Sequence, residues 1–172
     1  MDCPRLETRR LVLRALTRDD RYGVFANFAD PDVAKWFFDR PCTQIEEADR
    51  IIDRFIQNGE QGNGLCWAIL LKADGKFVGT CSYEHIDEDL CAEVGFDLAK
   101  EHGRQGYMTE ALGAVITFGF TALGLARIRA DTYSSNAGAR RVLEKVGFGV
   151  HSVEDDSHCY ELLRTDWTRS HG

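Results

Sequence analysis

The sequence contains no long apolar run. No stretch approaches the roughly 18 consecutive apolar residues that a membrane-spanning helix needs. Residues 1–5 carry charges that no apolar segment follows, so the pattern of a secretory signal is missing. We therefore expect a cytoplasmic protein without a membrane partner.

Cysteine and histidine are not spaced as metal ligands. No two of the six cysteines form a C-x-x-C pair, which disfavours a zinc site and a redox dithiol alike. The five histidines also show no ligand spacing. We expect no metal, and we expect most of the cysteines to be buried reduced thiols.

Positive charge is also scarce. The formal net charge is −7, and no stripe of lysine and arginine compensates for it. Binding to the phosphates of nucleic acids requires clustered cations, so we expect no nucleic-acid partner. An acidic surface keeps many cytosolic proteins in solution, and this explanation is favoured over a link to a basic substrate.

The sequence does contain enough apolar material for one folded unit. With 172 residues, 44% of them hydrophobic, the chain can bury a substantial core without disulfides or a metal. There is no internal repeat, low-complexity tract or linker. We expect a single domain over residues 1–172.

The hydrophobic periodicity predicts a mixed α/β (α+β) fold. Alternating, β-prone segments predict strands at residues 11–16, 67–71, 77–83, 90–98, 126–133, 148–153 and 159–164. Helical spacing, N-caps and terminal glycines predict helices after Thr17 and at residues 45–56, 107–123 and 137–146. The order of these elements predicts an antiparallel meander, then a parallel crossover, then a final hairpin.

A glycine-bearing turn leads into the longest predicted helix. It comprises residues 103–111, GRQGYMTEA. Glycine lets a backbone approach a ligand closely, and the first unpaired amides of a helix present partial positive charge to an anion. The turn therefore indicates a pyrophosphate site, although glycine also serves such turns for steric reasons alone. A Rossmann-like dinucleotide binder is a poorer interpretation, because the complete G-x-G-x-x-G spacing is absent and an antiparallel meander comes first.

Four motifs occur in the order typical of one enzyme superfamily. They are LETRRLVLR at residues 6–14, EVGF at 93–96, GYMTEA at 106–111, and a segment from Asn136 that ends with VLEKVGF at 142–148. Together they span nearly the whole chain, which resembles the GNAT superfamily of acyl-CoA-dependent N-acetyltransferases. The similarity is to the RimJ/RimL-type branch, the ribosomal-protein N-terminal acetyltransferases.

The resemblance implies a mixed, mostly antiparallel central sheet of six to seven strands, flanked by helices. Its fourth and fifth strands, here near residues 90–98 and 126–133, are expected to splay apart and to hold acetyl-CoA between them. A bulge near Gly95 would leave backbone groups free to pair with the pantetheine arm. Gly95 is equally consistent with the relief of crowding under a large neighbour.

The same resemblance assigns residues to the cofactor. The pyrophosphate is expected on backbone amides between Arg104 and Thr109, with Arg104 as a charged clamp or as an ordinary solvated cation. Asn136 is expected to contact the cofactor arm, to cap a helix, or both. The full set of expected cofactor-binding residues is Phe96, Leu98, Gly103, Arg104, Gln105, Gly106, Tyr107, Met108, Thr109 and Asn136.

The turn departs from the superfamily pattern at both ends. That pattern begins with arginine or glutamine and ends with glycine or alanine, whereas this chain has Gly103 first and Met108 last. Backbone amides do not depend on side-chain identity, so we expect binding to survive. Methionine does not provide the close approach that a small final residue allows.

Acetyl transfer from a thioester to an amine needs an uncharged nucleophile, a stabilised oxyanion and an exit for the thiolate. Glu93 matches the acidic position that the resemblance associates with removal of the amine proton, and partial burial would raise its pKa toward the working pH. The alternative is an outward-facing strand residue paired with a cation. A backbone amide near Phe96 is expected to hold the oxyanion.

The usual general acids are missing. Many GNAT enzymes place a tyrosine where this chain has Leu143, and the RimL-like serine is replaced by Ala139. We expect Tyr133 to protonate the leaving thiolate, with Ser134 or Ser135 as alternatives, although a thiolate can also leave unassisted. Packing in the core is the alternative role for Tyr133.

The acceptor is expected to be a primary amine, either a protein N-terminus or a small molecule. Trp36, Phe37 and Phe38 resemble the variable segment that walls the acceptor pocket in this branch, although core packing is expected for at least two of them. A catalytically silent acyl-CoA-binding or sensor module is the alternative, which Ala139 and Leu143 favour and Glu93 opposes. A homodimer is expected only from the general frequency of dimers.

Overall fold

The computed structural model describes residues 3–171 and places eight strands in one sheet. The strands are β1 (Leu6–Glu7), β2 (Leu11–Ala15), β3 (Leu65–Leu71), β4 (Phe77–Glu84), β5 (Cys91–Leu98), β6 (Arg127–Tyr133), β7 (Gly149–Glu154) and β8 (Ser157–Leu163). The helices are α1 (Arg21–Ala29), α2 (Pro31–Ala34), α3 (Ile45–Glu60), α4 (Tyr107–Thr121), α5 (Ala137–Lys145) and α6 (Arg164–His171). Within residues 3–171, no helix is both long enough and apolar enough to cross a membrane.

The sheet has the mixed, mostly antiparallel character that the sequence predicts. Its strand order is β1-β2-β3-β4-β5-β6-β8-β7. All neighbours are antiparallel except β5 and β6, which run parallel. The sheet has one strand more than predicted, because the two-residue β1 pairs with β2 through Leu6↔Leu13 and Glu7↔Val12.

The two parallel strands separate after three residue pairs. Cys91↔Arg127, Ala92↔Ile128 and Glu93↔Arg129 are paired, and no pair follows among the described residues. Beyond this point β5 continues on β4 as far as Leu98, while β6 continues on β8 as far as Tyr133. The expected splay of the predicted fourth and fifth strands is therefore present, and those strands are β5 and β6.

The bulge expected near Gly95 is absent. Gly95 pairs with Ser82 inside an unbroken register that runs from Gly79↔Leu98 to Glu84↔Glu93. The splay comes instead from the end of pairing between β5 and β6, which requires no extra residue. A Cβ at Gly95 would lie 3.2 Å from Oγ of Ser82, so relief of crowding is the better explanation of this glycine.

Two hydrophobic clusters lie on opposite faces of the sheet. Alternate residues of β3 show the division, because Trp67 and Ile69 join the cluster that includes α4, whereas Cys66 and Ala68 join the cluster of α1 and α3. Successive strand side chains point to opposite faces, so one strand can serve both clusters. The near-continuous apolar run of β3 follows from burial on both faces.

Candidate active site

A cavity of about 340 Å³ opens where β5 and β6 part. Residues from both strands, from the start of β8, from α5 and its N-cap, and from the chain after α2 line it. They are Trp36, Phe37, Val94, Gly95, Phe96, Ala130, Asp131, Thr132, Tyr133, Asn136, Ala139, Leu143 and Ser157. We call this cavity the cleft. Within residues 3–171, the β6-facing edge of β5 from residue 94 to 98 has no strand partner, so its backbone groups are available to a ligand.

Glu93 occupies the last paired position before the cleft. Ile128 and Ala130 face the α4 cluster, so Arg129, Asp131 and Tyr133 face the opposite side of the sheet. Glu93 lies on this side too, because Ala92 and Val94 join the α4 cluster. The structure therefore places Glu93 and Tyr133 on the same face.

The surroundings of Glu93 raise its pKa. Burial raises its pKa, and the carboxylates of Asp131 and Glu84 raise it further, whereas His85 lowers it. The side chain remains exposed to solvent at the sheet surface. Asp131, which the sequence did not single out, is thus part of the site through its effect on this carboxyl.

Tyr133 and Asn136 lie together at the end of β6. Tyr133 is half exposed, not buried in the core, and its ring centroid is 6.2 Å from that of Trp36. Asn136 caps α5, with Oδ1 accepting from the Ala139 amide at 3.1 Å. Leu143, one of the two positions where the sequence lacks the usual general acid, is buried in the wall of the cleft.

The glycine turn forms the N-terminus of α4. Gly106 has φ 79°, a left-handed conformation that favours glycine, and it occupies the N-cap position. Glu110 is the first residue of α4 whose amide donates to an earlier carbonyl, that of Gly106, at 3.0 Å. In the described chain, no amide between Arg104 and Thr109 donates to a protein acceptor. These free amides are the pattern of an anion site.

Arg10 and Glu110 hold this turn, and the sequence did not identify either as a site residue. Arg10 donates through Nη1 to the Gln105 carbonyl at 2.9 Å and through Nε to Glu110 Oε2 at 2.7 Å. Thr8 also donates its hydroxyl to Glu110. Arg10 lies in the motif at residues 6–14 and Glu110 in the motif at 106–111. Neither motif indicates that these two residues contact each other, because they are far apart in the sequence.

The other predicted turn residues divide between surface and core. Arg104 is exposed and has φ 61°, and it makes no ion pair within residues 3–171. Met108 is 4% exposed and packs in the α4 cluster, so its bulk points away from the free amides. Leu98 packs against the same cluster and does not line the cleft. Gly103 is extended and needs no positive φ.

A second, larger cavity of about 850 Å³ adjoins the cleft, because Phe37 and Tyr133 line both. Of the three aromatic residues at 36–38, Phe38 packs against the cluster of α1 and α3. Phe37 is 46% exposed, but its ring makes an edge-to-face contact with Phe28 of the same cluster, at 5.4 Å between ring centroids. Two of the three thus contact the edge of the core, as expected, and the chain after α2 also turns all three toward the two cavities. Within the described residues, no group of three or more His, Cys, Asp or Glu side chains is arranged to hold a metal.

Comparison with known proteins identifies the family. The sequence matches the acetyltransferase (GNAT) domain over residues 10–149. It is 33% identical over 151 residues to the uncharacterized N-acetyltransferase YoaA of Bacillus subtilis (strain 168), covering 87% of this chain and 85% of YoaA. The chain belongs to the GNAT acetyltransferase family. The predicted superfamily and enzyme class are therefore confirmed.

Two solved GNAT structures share the fold. One is spermidine N-acetyltransferase from Vibrio cholerae in complex with CoA and spermine, with TM-score 0.81 and 19% identity, covering 94% of this chain and 99% of that one. The other is the RimL ribosomal alpha-N-protein acetyltransferase in complex with coenzyme A, with TM-score 0.83 and 18% identity, covering 93% and 98%. The expected GNAT fold is thus confirmed, with RimL among the structural neighbours.

Proposed function

We propose that acetyl-CoA binds along the cleft and the α4 N-terminus, and that its acetyl group passes to a primary amine on the face of Glu93. One observation carries this proposal: the unpaired edge of β5, the cleft and the free amides of residues 104–109 occur in one structure. The CoA-bound GNAT neighbours support acetyl-CoA as the donor. The thioester supplies an activated acetyl carbonyl.

The chain's backbone would hold the donor. The unpaired backbone N–H and C=O groups of β5, from residue 94 to 98, can pair with the amides of a pantetheine arm. Asn136 lines the same cleft. The amides from Arg104 to Thr109 and the exposed Arg104 guanidinium match a pyrophosphate. Met108 contributes only its amide, because its side chain is buried in the core.

Glu93 is proposed as the general base. Its carboxylate accepts a proton from the acceptor ammonium, directly or through a water, and so frees the nitrogen lone pair for attack on the acetyl carbon. The raised pKa brings Glu93 nearer to neutral pH, where a base is most effective. A backbone amide near Phe96 would stabilise the oxyanion, and the C–S bond then breaks.

Tyr133 is proposed to give its hydroxyl proton to the departing thiolate. It lies at the junction of the cleft and the larger cavity, where the donor sulfur and the acceptor would meet. No buried acid replaces it at Leu143 or Ala139. Because a thiolate is a good leaving group, Tyr133 is expected to contribute less to the rate than Glu93 does.

The acceptor is proposed to be a protein N-terminal amine or a small amine, as the named activities of the structural neighbours suggest. A cytoplasmic location, one domain over the whole chain, a homodimer and the lack of a metal stay predictions. A silent acyl-CoA-binding module is the competing function, which the replacements at Ala139 and Leu143 favour.

One experiment separates enzyme from silent module. Thiol release from acetyl-CoA would be followed with a panel of amines for the wild type, Glu93→Gln and the control Glu88→Gln, which changes an exposed carboxylate in the turn before β5. We expect the Glu93 variant to lose about 100-fold or more in kcat while Glu88→Gln keeps it. Acetyl-CoA binding without any amine-dependent thiol release would instead support the silent module.

A further inference from the structure

The larger cavity beside the cleft carries an excess of positive charge. Its lining comes from the chain after α2, from one face of α3 and from the end of β6. The residues are Lys35, Phe37, Phe38, Asp39, Arg40, Cys42, Glu47, Arg50, Ile51, Arg54 and Tyr133. Four of them are cations and two are anions, although the chain as a whole has a formal net charge of −7. The excess is therefore local.

Arg40 and Glu47 neutralise each other within this lining. Nη2 of Arg40 donates to Oε1 of Glu47 at 2.6 Å. Glu47 also accepts from the amides of Thr43 and Gln44 at the start of α3, at 2.7 Å and 3.1 Å. The Arg40 hydrogen bond and these amides lower the pKa of Glu47 to about 2, so it stays ionised and paired with Arg40.

Arg50 and Arg54 have no acidic partner among the described residues. They are one helical turn apart on α3, so they lie on the same face, and Ile51 between them lines the cavity as well. Lys35, in contrast, forms an ion pair at 3.3 Å with Asp32, a residue that does not line the cavity. The two arginines are therefore the free cations of this cavity.

The position of the cavity connects this charge to the reaction. Phe37 and Tyr133 line both spaces, so a molecule in the larger cavity reaches the cleft across these two side chains. A volume of about 850 Å³ is within the usual range of small-molecule sites. Guanidinium groups bind carboxylate and phosphate oxygens in matched, often bidentate geometry.

We propose that the acetyl acceptor is an amine that also carries a carboxylate or phosphate group, which Arg50 and Arg54 bind while the amine lies toward Tyr133. This inference rests on the proposed function and narrows its acceptor. A polycation such as spermine lacks the complementary group and would be repelled by the same arginines.

The test compares matched acceptors that differ only in the oxyanion. The pairs are an amino acid against its α-amide, phosphoethanolamine against ethanolamine, and a short peptide that begins with glutamate against one that begins with glutamine, with spermine as the cationic extreme. The variants are Arg50→Gln, Arg54→Gln and the double variant. Arg169→Gln is the control, because this arginine is 80% exposed on α6, away from both cavities.

We expect kcat/KM to favour at least one oxyanion-bearing acceptor over its partner by about tenfold or more. The preference should fall to about threefold or less in the double variant and persist in Arg169→Gln. The carboxylate and phosphate pairs show which group is bound. Preference for the neutral members or for spermine, or a preference that survives the double variant, would overturn the proposal.

Two binding measurements keep this test separate from the proposed function. Acetyl-CoA affinity should be the same in the wild type and in the arginine variants, because neither arginine lies at the cleft or in the glycine turn. Titration with the acceptor alone tests the cavity even when no donor is bound. Failure of acetyl-CoA to bind would refute the proposed function, whereas a wild-type protein that binds acetyl-CoA but does not prefer the oxyanion-bearing acceptors would refute only the acceptor class.

Discussion

Arg10 and Glu110 connect the start of the chain to the glycine turn at residues 103–111. The Arg10 amide donates to Glu110 Oε1 and its Nε to Glu110 Oε2, each at 2.7 Å. The guanidinium carbon lies 4.4 Å from the centroid of the Tyr107 ring. With the hydrogen bond to the Gln105 carbonyl, one side chain thus supports residues on both sides of Gly106.

Arg10→Ala should therefore weaken acetyl-CoA binding by about tenfold. Removal of a charged hydrogen-bonding group leaves Glu110 partly unpaired and releases the turn, an effect of about 1.5–3 kcal/mol per hydrogen bond in well-formed cases. Isothermal titration measures the affinity. Arg5→Ala is the matched control, because the Arg5–Glu7 pair is exposed and Arg5 makes no hydrogen bond to residues 103–111. Equal affinity in both variants would show that Arg10 does not position the site.

Two glycine-to-alanine changes at α4 should have opposite effects on stability. Gly106→Ala places a Cβ in a left-handed conformation, which lowers the free energy of unfolding by about 1 kcal/mol and weakens acetyl-CoA binding. Gly113→Ala lies within the helix with no atom near the new Cβ, so it should raise that free energy by about 0.5–1 kcal/mol. Urea denaturation checks both, and a stabilising Gly106→Ala would contradict the turn geometry.

The acid limb of the pH–rate profile should move when the neighbours of Glu93 change. A general base gains activity as pH rises through its pKa, and the Asp131 carboxylate helps to raise that pKa. Asp131→Asn should therefore shift the acid limb of kcat to lower pH. His85→Gln should shift it to higher pH, because His85 lowers the pKa of Glu93. Shifts of the same sign in both variants would argue against Glu93 as the titrating base.

Titration of Asp97 should lower the free energy of unfolding as the pH rises from about 4 to about 6. Burial raises its pKa to about 6, although hydrogen bonds from Thr80 and Asn27 oppose the rise. Folding favours the protonated form of Asp97. The free energy of unfolding is therefore highest below the unfolded-state pKa of Asp97, and it falls as the pH rises through about 6.

Asp97→Asn removes this titration. The stability of the variant relative to the wild type should rise by about 3 kcal/mol from pH 4 to pH 7 and stay level above that. Urea denaturation at each pH gives the difference. Asn27 and Thr80 both donate a hydrogen bond to this carboxyl. A stability difference between variant and wild type that does not change with pH would mean that Asp97 keeps an ordinary pKa despite its burial.

Local patterns in the sequence predict the parts of the site that depend on local conformation. Gly106 and the helix after it follow from glycine placement and helical spacing, and Asn136 follows from its position before a helix. Glu93 follows from its place in a motif. Each of these depends on neighbours within a few residues.

Features that depend on distant contacts were not predicted. The Arg10–Glu110 link crosses 100 positions, and nothing in the periodicity near either residue indicates the other. The bulge expected at Gly95 is wrong because the splay arises from lost pairing between β5 and β6, a property of two strands. Asp131 also becomes part of the site only once β6 lies beside Glu93.

Isothermal titration of the purified protein with acetyl-CoA, with NAD as a control, is the most direct test of the proposed cleft. We expect one acetyl-CoA per chain with a Kd in the micromolar range, weaker binding in Gly106→Ala, and no binding of NAD. Absence of acetyl-CoA binding to the folded wild-type protein would contradict the assignment of the cleft and of the α4 N-terminus.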